Sequence, residues 1–163
     1  MNERNLHLPR RRLLLLAGSG LALASLVIHR RGGDITVTDW HPLTQSFLHE
    51  NLEANHLGPL PYLPGNWALD DANGASGLGR FDLIVGSDLL YQRHLPEVLA
   101  AFIGRHAADG AEVAIVDPGR GLRGRFSGHM QALGFVAPER TQMQAVQASG
   151  EAYRGQMLGF HRH

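Results

Sequence analysis

The apolar run from residue 13 to residue 28 is interrupted by Gly18-Ser19-Gly20. No other feature narrows the possible folds as much. Read as one unbroken helix, these 16 residues with Arg on both flanks are short for a membrane span. They would resemble an export signal, with a basic start and the small-residue stretch ALAS at 22–25 as a cleavage site. Split at the glycines, the run becomes a buried strand over 13–17, a tight turn, and a helix over 21–30 that ends at Gly32-Gly33. Residues 35–38 then read as a second strand closed by Asp39. A glycine turn after one strand and an acid at the end of the next, 19 residues on from Gly20, is the spacing of nucleotide-type pockets. The split is the expectation; an exported chain is the alternative.

The rest of the chain continues the alternation. Helices are expected over 42–55, 95–106 and 122–133, where apolar residues recur at three- and four-residue spacing. The strongest strand signal is 81–86, followed by 112–116, with a weaker one at 66–68. Residues 57–65 read as a Pro/Gly connector and 70–79 as a polar loop. The last two strands fall at 135–137 and 157–161. Such alternation implies βαβ units, hence an α/β fold with a mostly parallel sheet and helices on both faces. A chain of 163 residues has room for one domain, with residues 1–12 as a short basic extension. Lys+Arg and Asp+Glu balance at 15 each, so no net field draws a nucleic acid partner. The absence of Cys excludes disulfides, thiolate metal sites and a Cys nucleophile, and the ten His residues show no ligand spacing on a helix, so no metal is expected.

In open α/β sheets ligands bind beyond the carboxyl ends of the strands. Those ends carry Gly18 and Gly20, Asp39 and Trp40, Asn66 and Trp67, Ser87 and Asp88, and Asp117. The two glycines let backbone approach a ligand. Leu23 stands where a dinucleotide fingerprint has its third glycine, which disfavours a dehydrogenase. Asp39 has two acceptor oxygens for a ribose diol, or else caps the helix that follows. Trp40 and Trp67 can lie against a purine or simply pack. Asp88 and Tyr91, three apart, share a face if they stand in a helical turn; capping and packing are the bland alternatives. The 117–121 stretch, DPGRG, reads as a turn from which Arg120 can touch a substrate acid.

The stretches GSGLALASL, VTDWHP, FLHENLEAN, YLPGNW, GRFDLIVGSDLLYQRHLPEVLAAF and VAIVDPGRG together resemble the class I S-adenosylmethionine-dependent methyltransferases. The match is best to the branch with the small protein-lysine methyltransferases. It spans residues 13–135, and its most specific part is the Asp-x-x-Tyr at Asp88 and Tyr91. The resemblance implies a Rossmann-like, seven-stranded sheet whose last strand is antiparallel. It implies S-adenosyl-L-methionine as cofactor. For the chain itself a cytoplasmic location and no membrane partner are expected. Gly18 and Gly20 would line the methionine moiety, Asp39 would hold the ribose with Trp40 beside it, and Asn66 and Trp67 would border the adenine. Ser87 and Asp88 would face the methyl group, and Asp88 with Tyr91 would shape the entrance. The acceptor stays open: a protein lysine, on a ribosomal or electron-transfer protein, or a small amine. The oligomeric state stays open too. Two departures from the family pattern, Leu16 in place of an acid and only about a dozen residues before the first strand, predict weakened cofactor binding. A methyltransferase-like domain that only binds is therefore the second expectation.

Overall fold

A computed structural model describes residues 12–17, 23–65, 67, 77–136, 139–142 and 155–162. The apolar run that opens the chain is not one helix. Strand β1 (Arg12–Ala17) precedes helix α1 (Leu23–Arg30), and β1 lies inside the sheet, parallel to both of its neighbours. The order along the chain continues as β2 (Asp34–Asp39), α2 (Thr44–Ala54), β3 (Tyr62–Pro64), β4 (Phe81–Ser87) and α3 (Leu95–His106). It ends with β5 (Ala107–Asp117), α4 (Arg123–Ala132), β6 (Glu139–Gln142) and β7 (Gln156–His161). The strands hydrogen-bond in the order β3-β2-β1-β4-β5-β7-β6. All pairs from β3 to β5 are parallel, and β7 runs antiparallel to both β5 and β6. The architecture is an α/β, Rossmann-like mixed sheet.

Local chemistry sets the helix ends. After α1, Gly32 takes φ 76°, its N–H donates to the His29 carbonyl at 2.9 Å, and the Gly33 N–H donates to Ile28 at 3.1 Å. The same closure recurs after α4, where Gly134 has φ 85° and Phe135 N–H reaches the Met130 carbonyl at 3.1 Å. Both are left-handed glycine caps that satisfy the last carbonyls. Helix α3 has Pro96 and Glu97 in its first turn and Arg105 and His106 in its last, matching the helix dipole at each end.

Period-two alternation sends successive strand residues to opposite faces. Ile35 and Val37 point to the face covered by α1 and α2, where Leu26, Leu48 and Leu52 pack on Val37. Ile84, Val113 and Ile115 point to the other face, against Leu99, Ile103, Phe126 and Met130 of α3 and α4. Phe126 is fully buried and meets Phe160 edge-on, with centroids 5.5 Å apart. Phe126→Ala is expected to destabilise the protein by about 3–5 kcal/mol in denaturant unfolding, since both transfer energy and a cavity are lost.

Two strand expectations are corrected. The third strand is Tyr62–Pro64, inside the stretch read as connector; of the residues 66–68, where a strand was expected, only Trp67 is described, and it stands in a turn. It is an edge strand, bonded to β2 alone, and an edge position tolerates Pro64. Of the strand expected at 135–137, the described residues 135 and 136 hold one bridge, Phe135 to Arg162, and β6 comes later. β5 also begins five residues earlier than the apolar pattern suggests, because Ala107 pairs with Phe81 across a bulge.

Candidate active site

The sheet register brings the strand ends into one line. Asp39 pairs with Pro64, Ala17 with Ser87, and Ser87 with Val116. Leu16 pairs with Thr38, so Ala17 and Asp39 stand in the same row. The residues just past this row are Trp40, Gly65, Asp88 and Asp117. Five strands, β1 to β5, thus deliver their carboxyl ends to one rim. Gly18, Gly20 and Asn66 lie outside the described residues.

Asp39 is the last residue of β2 and only 3% exposed. Its Oδ1 accepts the His41 N–H at 2.9 Å, closing an Asx turn. It does not cap α2: Leu43 holds the N-cap position without a side-chain bond. Burial pushes its carboxyl above the ordinary 3.8, and the His41 N–H pulls partly back. The Tyr62 hydroxyl donates to the Asp39 carbonyl at 3.2 Å and ties β3 to this corner. Gly65 follows at the same corner; a Cβ there would collide with the Thr38 hydroxyl, so only glycine lets the chain pass this close.

Trp40, which follows Asp39 in the chain, lines a cavity of about 190 Å³ together with Trp67, Tyr91, His94, Leu95 and Val98. The two Trp residues differ sharply. Trp40 is 57% exposed, whereas Trp67 is 4% exposed and packs on Phe102 at 6.1 Å. Among the described residues the buried Trp67 Nε1–H meets no acceptor, an uncommon state for an indole N–H. His94, Leu95 and Val98 come from the start of α3. Helix periodicity marks Leu95 and Val98 only as packing, and His94, just before the helix, carried no signal as a wall residue.

Asp88 and Tyr91 do not stand in a helical turn. Asp88 has φ 54° and its N–H donates to the Val116 carbonyl at 2.8 Å, while α3 begins only at Leu95. A non-glycine residue in the left-handed region costs about 1–3 kcal/mol and persists where surrounding structure enforces it. Here the enforcement includes a fork. Arg120 Nε donates to Asp88 Oδ1 at 2.7 Å, and a terminal guanidinium nitrogen donates to Oδ2 at 2.8 Å. Arg120 therefore meets a carboxylate of its own chain, and that carboxylate holds its guanidinium above the usual value. The loop that carries Arg120 is itself anchored. Gly119 N–H donates to Asp117 Oδ2 at 2.9 Å, Arg123 pairs with the same oxygen at 3.1 Å, and Gly119 and Gly121 take φ 105° and 83°.

A family model described as lysine methyltransferase matches residues 9–120. The electron transfer flavoprotein beta subunit lysine methyltransferase of Mus musculus is 30% identical over 135 residues, which is 78% of this chain and 49% of the relative. That of Rattus norvegicus is 32% identical over 133 residues, 77% of this chain and 49% of the relative. The chain thus spans about half the length of the curated relatives it matches. Among solved structures, a predicted O-methyltransferase from Agrobacterium tumefaciens superposes with a TM-score of 0.73 at 14% identity, over 93% of this chain and 74% of the other. At that identity the likeness speaks for the fold.

Proposed function

Because this chain belongs to the lysine methyltransferase family, whose cofactor is S-adenosyl-L-methionine, we propose that it methylates a protein lysine. The observation that carries the reading is a buried carboxylate, Asp39, at the strand-end rim together with a cavity walled by Trp40, Trp67 and Tyr91. Those features fit a nucleoside. The Asp39 carboxylate is suited to accept the two ribose hydroxyls, and the cavity whose wall includes Trp40 and Trp67 is assigned to the adenine. Gly18 and Gly20 are assigned to the methionine moiety, Asn66 to the adenine border, and Ser87 to the methyl end. When bound, the cofactor supplies an electrophilic methyl group on a sulfonium.

The chain's own residues then have two tasks: to align the amine and to keep it neutral. A free lysine has a pKa of about 10.4, so the site must disfavour the ammonium. Asp88 is assigned to accept an N–H of the amine and aim its lone pair. Tyr91, on the wall of the cavity, is assigned to narrow the entrance and exclude water. The reading treats residues 1–163 as a single catalytic domain, cytoplasmic as expected from the sequence; no described helix is long and apolar enough to cross a membrane.

Calorimetric titration with S-adenosyl-L-methionine is expected to give a saturable heat, and 100-fold excess over Kd should stabilise the protein by about 2.7 kcal/mol. Labelled methyl transfer into a cell lysate, and into an electron transfer flavoprotein beta subunit as the first purified acceptor, is expected to yield N-methyl lysine. Absence of heat and of thermal shift at millimolar cofactor would leave a domain that only binds partners.

A further inference from the structure

A bare carboxylate beside a substrate amine favours the ammonium, the form without a lone pair to attack. Asp88 is not bare. Both of its oxygens are engaged by Arg120, at 2.7 and 2.8 Å, in a planar fork. The fork uses one acceptor position on each oxygen, and an ionised carboxylate has about four. Asp88 can therefore hold Arg120 and still accept an N–H. The turn that presents Arg120 is built for a defined geometry, with left-handed glycines on either side and an anchor on buried Asp117. Among the described residues, the neighbouring charged or titratable groups include Asp117 at the end of β5 and Arg123 at the start of α4, which pair with each other, and Tyr91 and His94 on the segment after Asp88.

We propose that Arg120 is a positioning residue that cancels the charge of Asp88, so that the pair accepts an N–H from a neutral amine instead of holding an ammonium ion. The inference rests on the reading of the acceptor as an amine. It assigns to the DPGRG turn a part in choosing the protonation state of the substrate.

The test is the pH dependence of kcat for labelled methyl transfer, compared among the parent, Arg120→Ala and Arg120→Lys. In Arg120→Ala the uncompensated carboxylate should move the acid limb of the profile upward by roughly one unit or more. The rate then falls about tenfold at neutral pH and recovers in alkali. Arg120→Lys keeps a cation beside Asp88 and should keep the parent profile. A loss in Arg120→Ala that is equal at every pH would reduce Arg120 to a structural part and overturn the inference. A second readout needs no turnover. With S-adenosylhomocysteine bound, Arg120→Ala should bind n-butylammonium at pH 7 about tenfold more tightly than the parent, and equal affinity would count against the proposal. A parent that places its label on oxygen or sulfur of the acceptor overturns the amine reading, and this inference with it; label on nitrogen with no profile shift sinks the inference alone.

Discussion

Asp88→Ala is expected to lower methyl transfer by at least about 100-fold while leaving the heat of cofactor binding in place. A misplacement of about 1 Å at the reacting atoms already costs on that order. The substitution removes the group proposed to aim the amine. It also releases Arg120, which loses both bonds of its fork to Asp88. Asp88 lies beyond the β4 row and is not among the residues that line the cavity, which is why cofactor binding should survive. Asp88→Asn separates two effects. The amide keeps the size and one acceptor oxygen, but it no longer balances the guanidinium. Its activity should fall between those of the parent and Asp88→Ala. Labelled transfer measured alongside calorimetry decides the matter: an Asp88→Ala protein that turns over at the parent rate contradicts the assignment.

Asp39→Asn is expected to have opposite effects on binding and stability. The cofactor ribose would donate to an ionised carboxylate, and hydrogen bonds to charged groups contribute about 1.5–3 kcal/mol each. Cofactor affinity at neutral pH should therefore fall roughly 10- to 100-fold in Asp39→Asn. Stability should move the other way. Burial raises the carboxyl of Asp39 above 3.8 in the folded protein. Between 3.8 and that raised value the native state binds more protons than the unfolded chain, so stability falls as pH rises through this window. Above the window the buried charge remains a constant cost, which the neutral Asn removes. Asp39→Asn should thus melt higher than the parent at pH 7, with the difference closing below pH 3.8. Ligand affinity in the parent should weaken on acidification, beginning above pH 3.8, because binding favours the ionised form. In Asp39→Asn that dependence should flatten. Equal affinity of the two proteins at neutral pH would remove Asp39 from the ribose site.

Three particulars show why the site was only partly readable in the chain. The strand 81–87 announces itself because a parallel strand is buried on both faces and so reads as nearly continuous apolar residues. The edge strand Tyr62–Pro64 does not, because an edge needs only one set of ladder bonds and tolerates the Pro that argues against a strand. Asp-Leu-Leu-Tyr at 88–91 carries good helix formers and suggests a helical turn, yet Asp88 is left-handed. Local propensity is a weak prior, and the bond from Asp88 N–H to the end of β5, with the Arg120 fork, overrides it.

The order of residues along the chain was enough to determine the alternation of strands and helices, the polar rim at the strand ends, and the residue types available there. These follow from periodicity and turn chemistry, which act over a few neighbours. The tertiary structure alone decided who meets whom across that rim. Arg120 lies 32 residues from Asp88, and Tyr62 lies 23 from Asp39; such contacts depend on strand order and register, which no short window of sequence contains. The burial of Asp39, and with it the raised carboxyl, was likewise a product of packing between layers.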